Sequence, residues 1–205
     1  MTSPRTGPLR CYRTIVVDPP WPQKAGGPLK GGHGEGFVGT THSQPMPYPT
    51  LAIPQIAALR VDKLASPDGC HLYLWATNRF LPEAFSIVRA WKFQYSTTLV
   101  WAKAPIGAGL GGCYGISTEY VVYARCGRLR EKQRIGTTWF NWKRPYNSAG
   151  KPMHSAKPLD FYKMVETVNH PARLEMFARQ GRPDWDVWGD QAPDAIHLPV
   201  LGGAA

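Results

Sequence analysis

The chain has 205 residues, of which 43% are hydrophobic, and a formal net charge of +10. This length and composition suffice for one buried core, so we expect a single domain over residues 1–205. Such a charge favours nucleic acid or an anionic membrane surface as partner, although basic surfaces without a specific partner are common. No apolar run is long enough to span a membrane, the chain starts without a signal-peptide core, and the four cysteines lack zinc spacing. We therefore expect a cytoplasmic protein without a membrane anchor or a metal site.

The predicted elements alternate between strands and helices. Apolar, β-branched or aromatic runs predict strands at residues 14–17, 70–76, 97–101, 120–124 and 173–178, and a short strand at 184–188. Apolar residues at helical spacing predict helices at residues 53–64, 81–91 and 158–168. This alternation predicts a three-layer α/β fold with a mostly parallel sheet, whose ligands bind beyond the carboxyl ends of the strands.

Two segments lack periodicity. Residues 22–49 are rich in Gly and Pro, and this predicts a long mobile loop after the first strand. Its basic residues, Lys24 and Lys30 among them, suit either a lid that contacts phosphates or a solvated loop. Tyr48 near its end suits either an active-site role or plain packing. Residues 192–205 predict a loosely held tail.

The motif most suggestive of chemistry is Asp18-Pro19-Pro20-Trp21, directly after the first strand. The amino group of adenine is a poor nucleophile because its lone pair is delocalised into the ring. The Asp18 carboxylate and the Pro19 carbonyl can hold its two N–H bonds and draw the nitrogen towards tetrahedral geometry. Trp21 can stack on the purine once the base has left any duplex. The alternative is a purely structural turn in which Asp18 is a cap and Trp21 a core anchor.

Several segments, in a consistent order, resemble the MT-A70 family of adenine methyltransferases. The segments are Asp18-Pro19-Pro20-Trp21, residues 72–78, Leu99-Val100-Trp101-Ala102-Lys103, His154-Ser155-Ala156-Lys157-Pro158, residues 173–179 and residues 185–191. The resemblance implies a Rossmann-like α/β methyltransferase fold, with helices on both faces of the sheet and the catalytic motif before the cofactor-binding strand. It also implies S-adenosylmethionine as the cofactor.

The resemblance further implies a set of cofactor contacts. Lys157 would meet the methionine carboxylate, Glu175 would lie near the cofactor or support that lysine, and Arg179 would approach the ribose. Asp190 and Gln191 would approach the adenosine. Asp18 and Phe177 complete the implied set. The family often has His-Asn after the arginine, where this chain has Gln180-Gly181, and Asn where Asp190 stands.

A basic, aromatic segment between residues 127 and 152 is the predicted nucleic-acid surface. Its cations can follow phosphates while its interleaved rings stack on bases. The cations are Arg128, Arg130, Lys132, Arg134, Lys143 and Arg144. The alternative is a solvated cationic face over buried rings. The Gly-rich run at residues 107–112 is not a dinucleotide fingerprint, because a strand rather than a helix is predicted after it.

Together these features predict an adenine-specific DNA methyltransferase that depends on S-adenosylmethionine, of the bacterial or phage type. The small, basic chain favours DNA. The alternatives are the same reaction on RNA, or a non-catalytic nucleic-acid-binding subunit of a methyltransferase complex. A homodimer or heterodimer is compatible with each of these functions.

Overall fold

A computed structural model describes residues 10–22, 49–103, 114–146, 148–150, 153, 156–190, 192 and 195–198. The strands are β1 (Thr14–Val17), β2 (Gly69–Thr77), β3 (Gln94–Ala102), β4 (Thr118–Gly127), β5 (Trp139–Phe140), β6 (Arg173–Met176) and β7 (Trp185–Trp188). The α-helices are α1 (Ile53–Ala58), α2 (Leu81–Ala90) and α3 (Leu159–Val168). Short 3₁₀ turns span Val61–Leu64 and Asn78–Phe80.

The strands form one sheet in the order β5-β3-β4-β2-β1-β6-β7. β1 pairs in parallel with β2 and β6, β6 with β7, and β3 with β5. β4 runs antiparallel to both β2 and β3, so six of these seven strands point the same way. β1 is buried at all four positions, as its continuous apolar run requires.

Helices cover both faces of the sheet. Ile56 of α1 and Ile87 of α2 pack with Ile15 and Leu72 on one face. On the other face, Phe161 of α3 packs against aromatic residues of β2 and β3. This confirms the predicted Rossmann-like α/β arrangement with a mostly parallel sheet.

The structure differs from the predicted elements in three respects. The predicted helix at 53–64 ends at Ala58, where the backbone turns extended at Leu59 before the Val61–Leu64 turn. After this break, Val61 and Leu64 are both buried in the core. The short strand β5 was missed, since two residues carry no periodic signal. The third change is the direction of β4, which the alternation of elements did not reveal.

Part of the predicted loose tail is docked on the sheet. The Ile196 N–H donates a hydrogen bond of 2.8 Å to the Val187 carbonyl, and Leu198 is buried in the core. Apolar side chains at both positions explain this attachment, so the prediction of a loose tail is wrong for residues 195–198. Among the helices of the described residues, none has the length and apolarity required to cross a membrane.

Candidate active site

Asp18 lies at the carboxyl end of β1, next to the end of β6. The Asp18 N–H is 3.5 Å from the Met176 carbonyl, which continues the β1–β6 pairing past the last strand residue. The Asp18 side chain retains 23% exposure although the strand before it is fully buried. The carboxylate is therefore held by the sheet and remains accessible at the edge where α/β folds bind ligands.

Lys157 connects Asp18 to a second carboxylate. Its Nζ lies 3.1 Å from Oδ1 of Asp18 and 3.2 Å from Oε2 of Glu119, and its side chain is only 10% exposed. The other oxygen of Glu119 pairs with Lys103. These four side chains form an alternating series of two acids and two bases, which we call the charged cluster: Asp18, Lys157, Glu119 and Lys103.

The two lysines of the charged cluster each lie over an indole ring. Nζ of Lys157 lies 5.0 Å from the ring centre of Trp75, and Nζ of Lys103 lies 5.0 Å from that of Trp101. Cations are attracted to the faces of such rings. The rings are almost fully buried, so they fix both ammonium groups at the sheet edge.

Burial and neighbouring charges shift the pKa values of this cluster. Burial raises the pKa of Asp18, and Glu119 adds to this effect while Lys157 opposes it. Burial also acts against ionised Glu119, yet Lys157 and Lys103 outweigh it and lower the pKa of Glu119. Burial would lower the pKa of Lys157, but the two carboxylates raise it. A carboxyl group with a raised pKa beside a fixed cation is a common feature of functional sites.

The rest of the motif is anchored in the protein. Pro19 is buried, and its carbonyl accepts a 2.8 Å hydrogen bond from the Trp21 N–H. The Pro20 carbonyl accepts one of 2.9 Å from the Leu51 N–H. Because a carbonyl oxygen has two lone pairs, the Trp21 N–H occupies only one acceptor position of the Pro19 carbonyl.

Trp21 differs from the expected open stacking platform. Its ring is 7% exposed and lies parallel to Phe80, with centroids 5.2 Å apart. Its indole N–H donates a 3.0 Å hydrogen bond to the Trp75 carbonyl. The core satisfies both the apolar ring and its polar N–H, so in this structure Trp21 is a core anchor that fixes the motif.

Glu175 belongs to a separate buried group. Its Oε1 accepts a 2.6 Å hydrogen bond from the Tyr162 hydroxyl, and its Oε2 lies 3.5 Å from Nε of Arg182. The Arg182 guanidinium lies 3.4 Å from the ring centre of Tyr162. Burial raises the pKa of Glu175, although Tyr162 and Arg182 oppose this shift. The carboxylates that contact Lys157 are therefore Asp18 and Glu119, and the expectation that Glu175 supports this lysine is wrong.

The other described cofactor candidates lie along the same sheet edge. Phe177 follows β6 in the left-handed region at φ 61°, a strained conformation for a bulky residue that is enriched at functional sites. Its ring packs edge-to-face on Trp188, with centroids 5.1 Å apart. Arg179 is exposed, and its positive charge acts to lower the pKa of Asp18, against the effect of burial. Asp190 is exposed just after β7.

The predicted basic surface divides into two parts. Lys143 and Arg144 line a groove together with Lys103, at the edge that carries Asp18. Arg128 follows the far end of β4, and Lys132 donates a 3.1 Å hydrogen bond from its Nζ to the Glu166 carbonyl near the end of α3. Arg130 and Arg134 are exposed in the same segment. A strand of ten residues is about 30 Å long, so these residues lie in two separate places, and their role in binding nucleic acid stays a prediction.

Some predicted site residues lie outside the described residues. They are Lys24, Lys30, Tyr48 and Gln191. Their suggested roles stay predictions. Within the described ranges, no group of His, Cys, Asp and Glu could hold a metal ion.

Sequence reasoning missed Glu119, Lys103 as a partner, and Arg182. Glu119 pairs with Thr77 and Trp101 at the start of β4. It reaches the active edge only because β4 is antiparallel, which brings the amino end of that strand to the carboxyl ends of its neighbours. An isolated acidic residue at the start of an apolar run was the one available signal.

Comparison with known proteins agrees with this architecture. The chain matches the MT-A70 family over residues 12–191. It is 28% identical over 210 residues to the Type II methyltransferase M.MunI of Mycoplasma sp., covering 95% of this chain and 84% of that protein. It is 24% identical over 209 residues to the N(6)-adenine-specific methyltransferase METTL4 of Mus musculus, covering 93% of this chain and 40% of that protein. The matched residues include the motif after β1 and all four residues of the charged cluster, and the chain therefore belongs to the MT-A70 family.

Proposed function

We propose that this protein transfers a methyl group from S-adenosylmethionine to the exocyclic 6-amino group of adenine in DNA. The observation that carries the proposal is the Asp18 carboxylate, accessible at the carboxyl edge and held by Lys157 through one oxygen. The similarity to a Type II methyltransferase favours DNA, and the name of the mouse relative supports the 6-amino group as acceptor.

Asp18 has the geometry to hold the adenine amino group. Its Oδ1 engages Lys157, so we assign Oδ2 to one N–H of the substrate. The remaining acceptor position of the Pro19 carbonyl takes the other N–H. Two fixed acceptors orient the nitrogen lone pair towards the incoming methyl group, and such positioning can account for a large part of a catalysed rate.

The residues at this edge fit the chemical groups of S-adenosylmethionine. When bound, this cofactor supplies an electrophilic methyl group on a positively charged sulfur. An ammonium group has three donors, and Lys157 uses two of them on carboxylates, so the third can hold the methionine carboxylate. Glu175, Phe177, Arg179 and Asp190 are the further described residues that would hold the cofactor, and Gln191 remains in the proposed set.

The decisive experiment compares Asp18→Ala with Asp62→Asn. Asp62 is also paired with cations, Arg60 and Lys92, but it lies away from this edge. We expect Asp18→Ala to lose at least about a hundredfold in methyl transfer, while S-adenosylmethionine binding measured by calorimetry persists. Asp62→Asn should retain transfer. Full activity of Asp18→Ala would contradict the mechanism.

The choice of nucleic acid needs its own assay. Methyl uptake should be measured on DNA and RNA oligonucleotides of the same sequence, followed by mass spectrometry of the nucleosides. We expect 6-methyladenine in DNA. Higher methyl uptake into RNA would show that RNA, rather than DNA, is the preferred substrate. Nucleic-acid binding without cofactor binding would support the non-catalytic alternative.

A further inference from the structure

A groove of about 600 Å³ lies beside the charged cluster, between the end of β3 and the segment after β5. Its volume lies in the range of sites for ligands of nucleotide size. Lys103 lines the groove and also pairs with Glu119 of the charged cluster. A ligand in this groove would therefore be a close neighbour of a base held at Asp18.

One wall of the groove is rigid and aromatic. Trp142 stacks on Phe140, with ring centroids 4.2 Å apart and an angle of 13° between the planes. The Trp142 carbonyl accepts a 2.9 Å hydrogen bond from the indole N–H of Trp101, which is itself buried. The groove is thus shaped before a ligand arrives.

Two other rings of the groove are open to solvent. Trp139 and Tyr146 are each 57% exposed, an unusual state for large aromatic side chains. Among the residues that the structure describes, no ring stacks on Trp139. An open indole face beside a fixed aromatic wall offers a stacking surface to a planar ligand.

The charge of the groove indicates an anionic ligand. Lys103, Lys143 and Arg144 line it, and no acidic residue is among the described residues of its lining. A planar group joined to an anion is the chemistry of a nucleotide. Only an unpaired nucleotide exposes its base face for stacking, because bases in a duplex stack on each other.

We infer that this groove binds an unpaired nucleotide next to the target adenine, so that the substrate is single-stranded. This inference rests on the proposed function and specifies its substrate. In this arrangement Trp139 stacks on the base, while Lys143 and Arg144 hold the phosphates.

The test compares the binding of a labelled single-stranded DNA oligonucleotide and of its duplex by fluorescence anisotropy. Trp139→Ala should weaken single-strand binding by roughly 5- to 150-fold, the range measured for loss of one stacked base. Duplex binding depends on phosphate contacts and should be unchanged. Trp139→Phe keeps a ring and should restore most of the affinity.

Tyr95→Ala is the matched control, because Tyr95 is a 47% exposed ring at the opposite end of β3. It should bind both oligonucleotides like the wild type. Replacing Lys143 and Arg144 by Gln should reduce the salt dependence of single-strand binding, by about 0.7 in slope for each phosphate that the protein no longer neutralises.

Several results would overturn the inference. One is wild-type single-strand binding by Trp139→Ala, and another is an equal loss of single-strand and duplex binding. A polyglutamate peptide that competes as well as the oligonucleotide would instead indicate an acidic protein partner. If the wild type binds as expected but transfers no methyl group, the proposed function fails alone. If it methylates adenine and Trp139→Ala binds normally, only the groove assignment fails.

Discussion

Buried polar side chains are stabilised differently at the two edges of the sheet, where the parallel strands begin and where they end. At the amino edge, both ring nitrogens of His71 face oxygen acceptors, one on Asn169 and one on Leu129. The Asn169 amide donates to the Tyr73 hydroxyl at 2.8 Å and the Val165 carbonyl at 2.7 Å. His71 and Asn169 are completely buried, so this network is closed to ligands.

The carboxyl edge instead carries full charges. Asp18, Lys157 and Glu119 retain 23%, 10% and 14% exposure of their side chains. Their alternating signs compensate one another where single buried charges would be costly. The comparison indicates that the amino edge serves stability and the carboxyl edge serves chemistry, and substitutions should separate the two roles.

The largest effect is expected for Lys157→Met. Without this cation, Asp18 loses its ion pair, Glu119 keeps only its pair with Lys103, and the proposed anchor for the cofactor is lost. We expect a decrease of about 10²- to 10³-fold in kcat/KM for methyl transfer. Lys163→Met is the control, since Lys163 is a 75% exposed lysine on α3. Retained activity with a lowered free energy of unfolding would assign Lys157 to structure.

Asn169→Ala, in contrast, should lower the stability of the protein and leave catalysis by the folded protein unchanged. It removes the partner of His71 and Tyr73 inside the core, so we expect the free energy of unfolding to fall by about 2–4 kcal/mol. The folded fraction should keep its kcat. Asn78→Ala provides the comparison at the carboxyl edge, because exposed Asn78 bonds Thr118 and Tyr120. Its loss should cost about 1 kcal/mol or less in chemical denaturation.

The pH dependence of activity can sharpen the description of the charged cluster. Asp18 must be ionised to accept an N–H, so activity falls as pH drops through its pKa, which burial raises above the ordinary value. Glu119 raises this pKa further, and Glu119→Gln removes that contribution. The acid limb of kcat/KM should therefore move to lower pH. A shift to higher pH would show that Glu119 acts mainly by holding Lys157.

The smallest effect, a change in oligonucleotide binding, is expected for the basic residues after the end of β4. Replacing Arg128 and Arg130 by Gln should weaken oligonucleotide binding only about threefold or less, because charges about 30 Å away are screened by salt. Replacing Lys143 and Arg144 should have the larger effect in the same anisotropy assay. Equal losses would mean that the nucleic acid extends over both edges of the sheet.

The sequence by itself determined the local features. The apolar run at Thr14–Val17 specified a buried strand, so Asp18 had to follow it at a ligand-binding edge. Helical spacing located α2 and α3 to within about two residues, since periodicity is a local property. The ordered motifs sufficed to indicate the family.

Only the tertiary structure decided which residues meet. Strand direction depends on pairing between distant segments, so the placement of Glu119 beside Lys157 could not be read from the apolar run of β4. The same holds for Trp21, whose ring and N–H find partners in Phe80 and Trp75 far along the chain. The length of β4 likewise separates Arg128 from Arg144, although both lie in one basic segment. Pairing between distant segments therefore determines which side chains meet at the sheet edge, and local residue patterns along the chain do not predict such pairing.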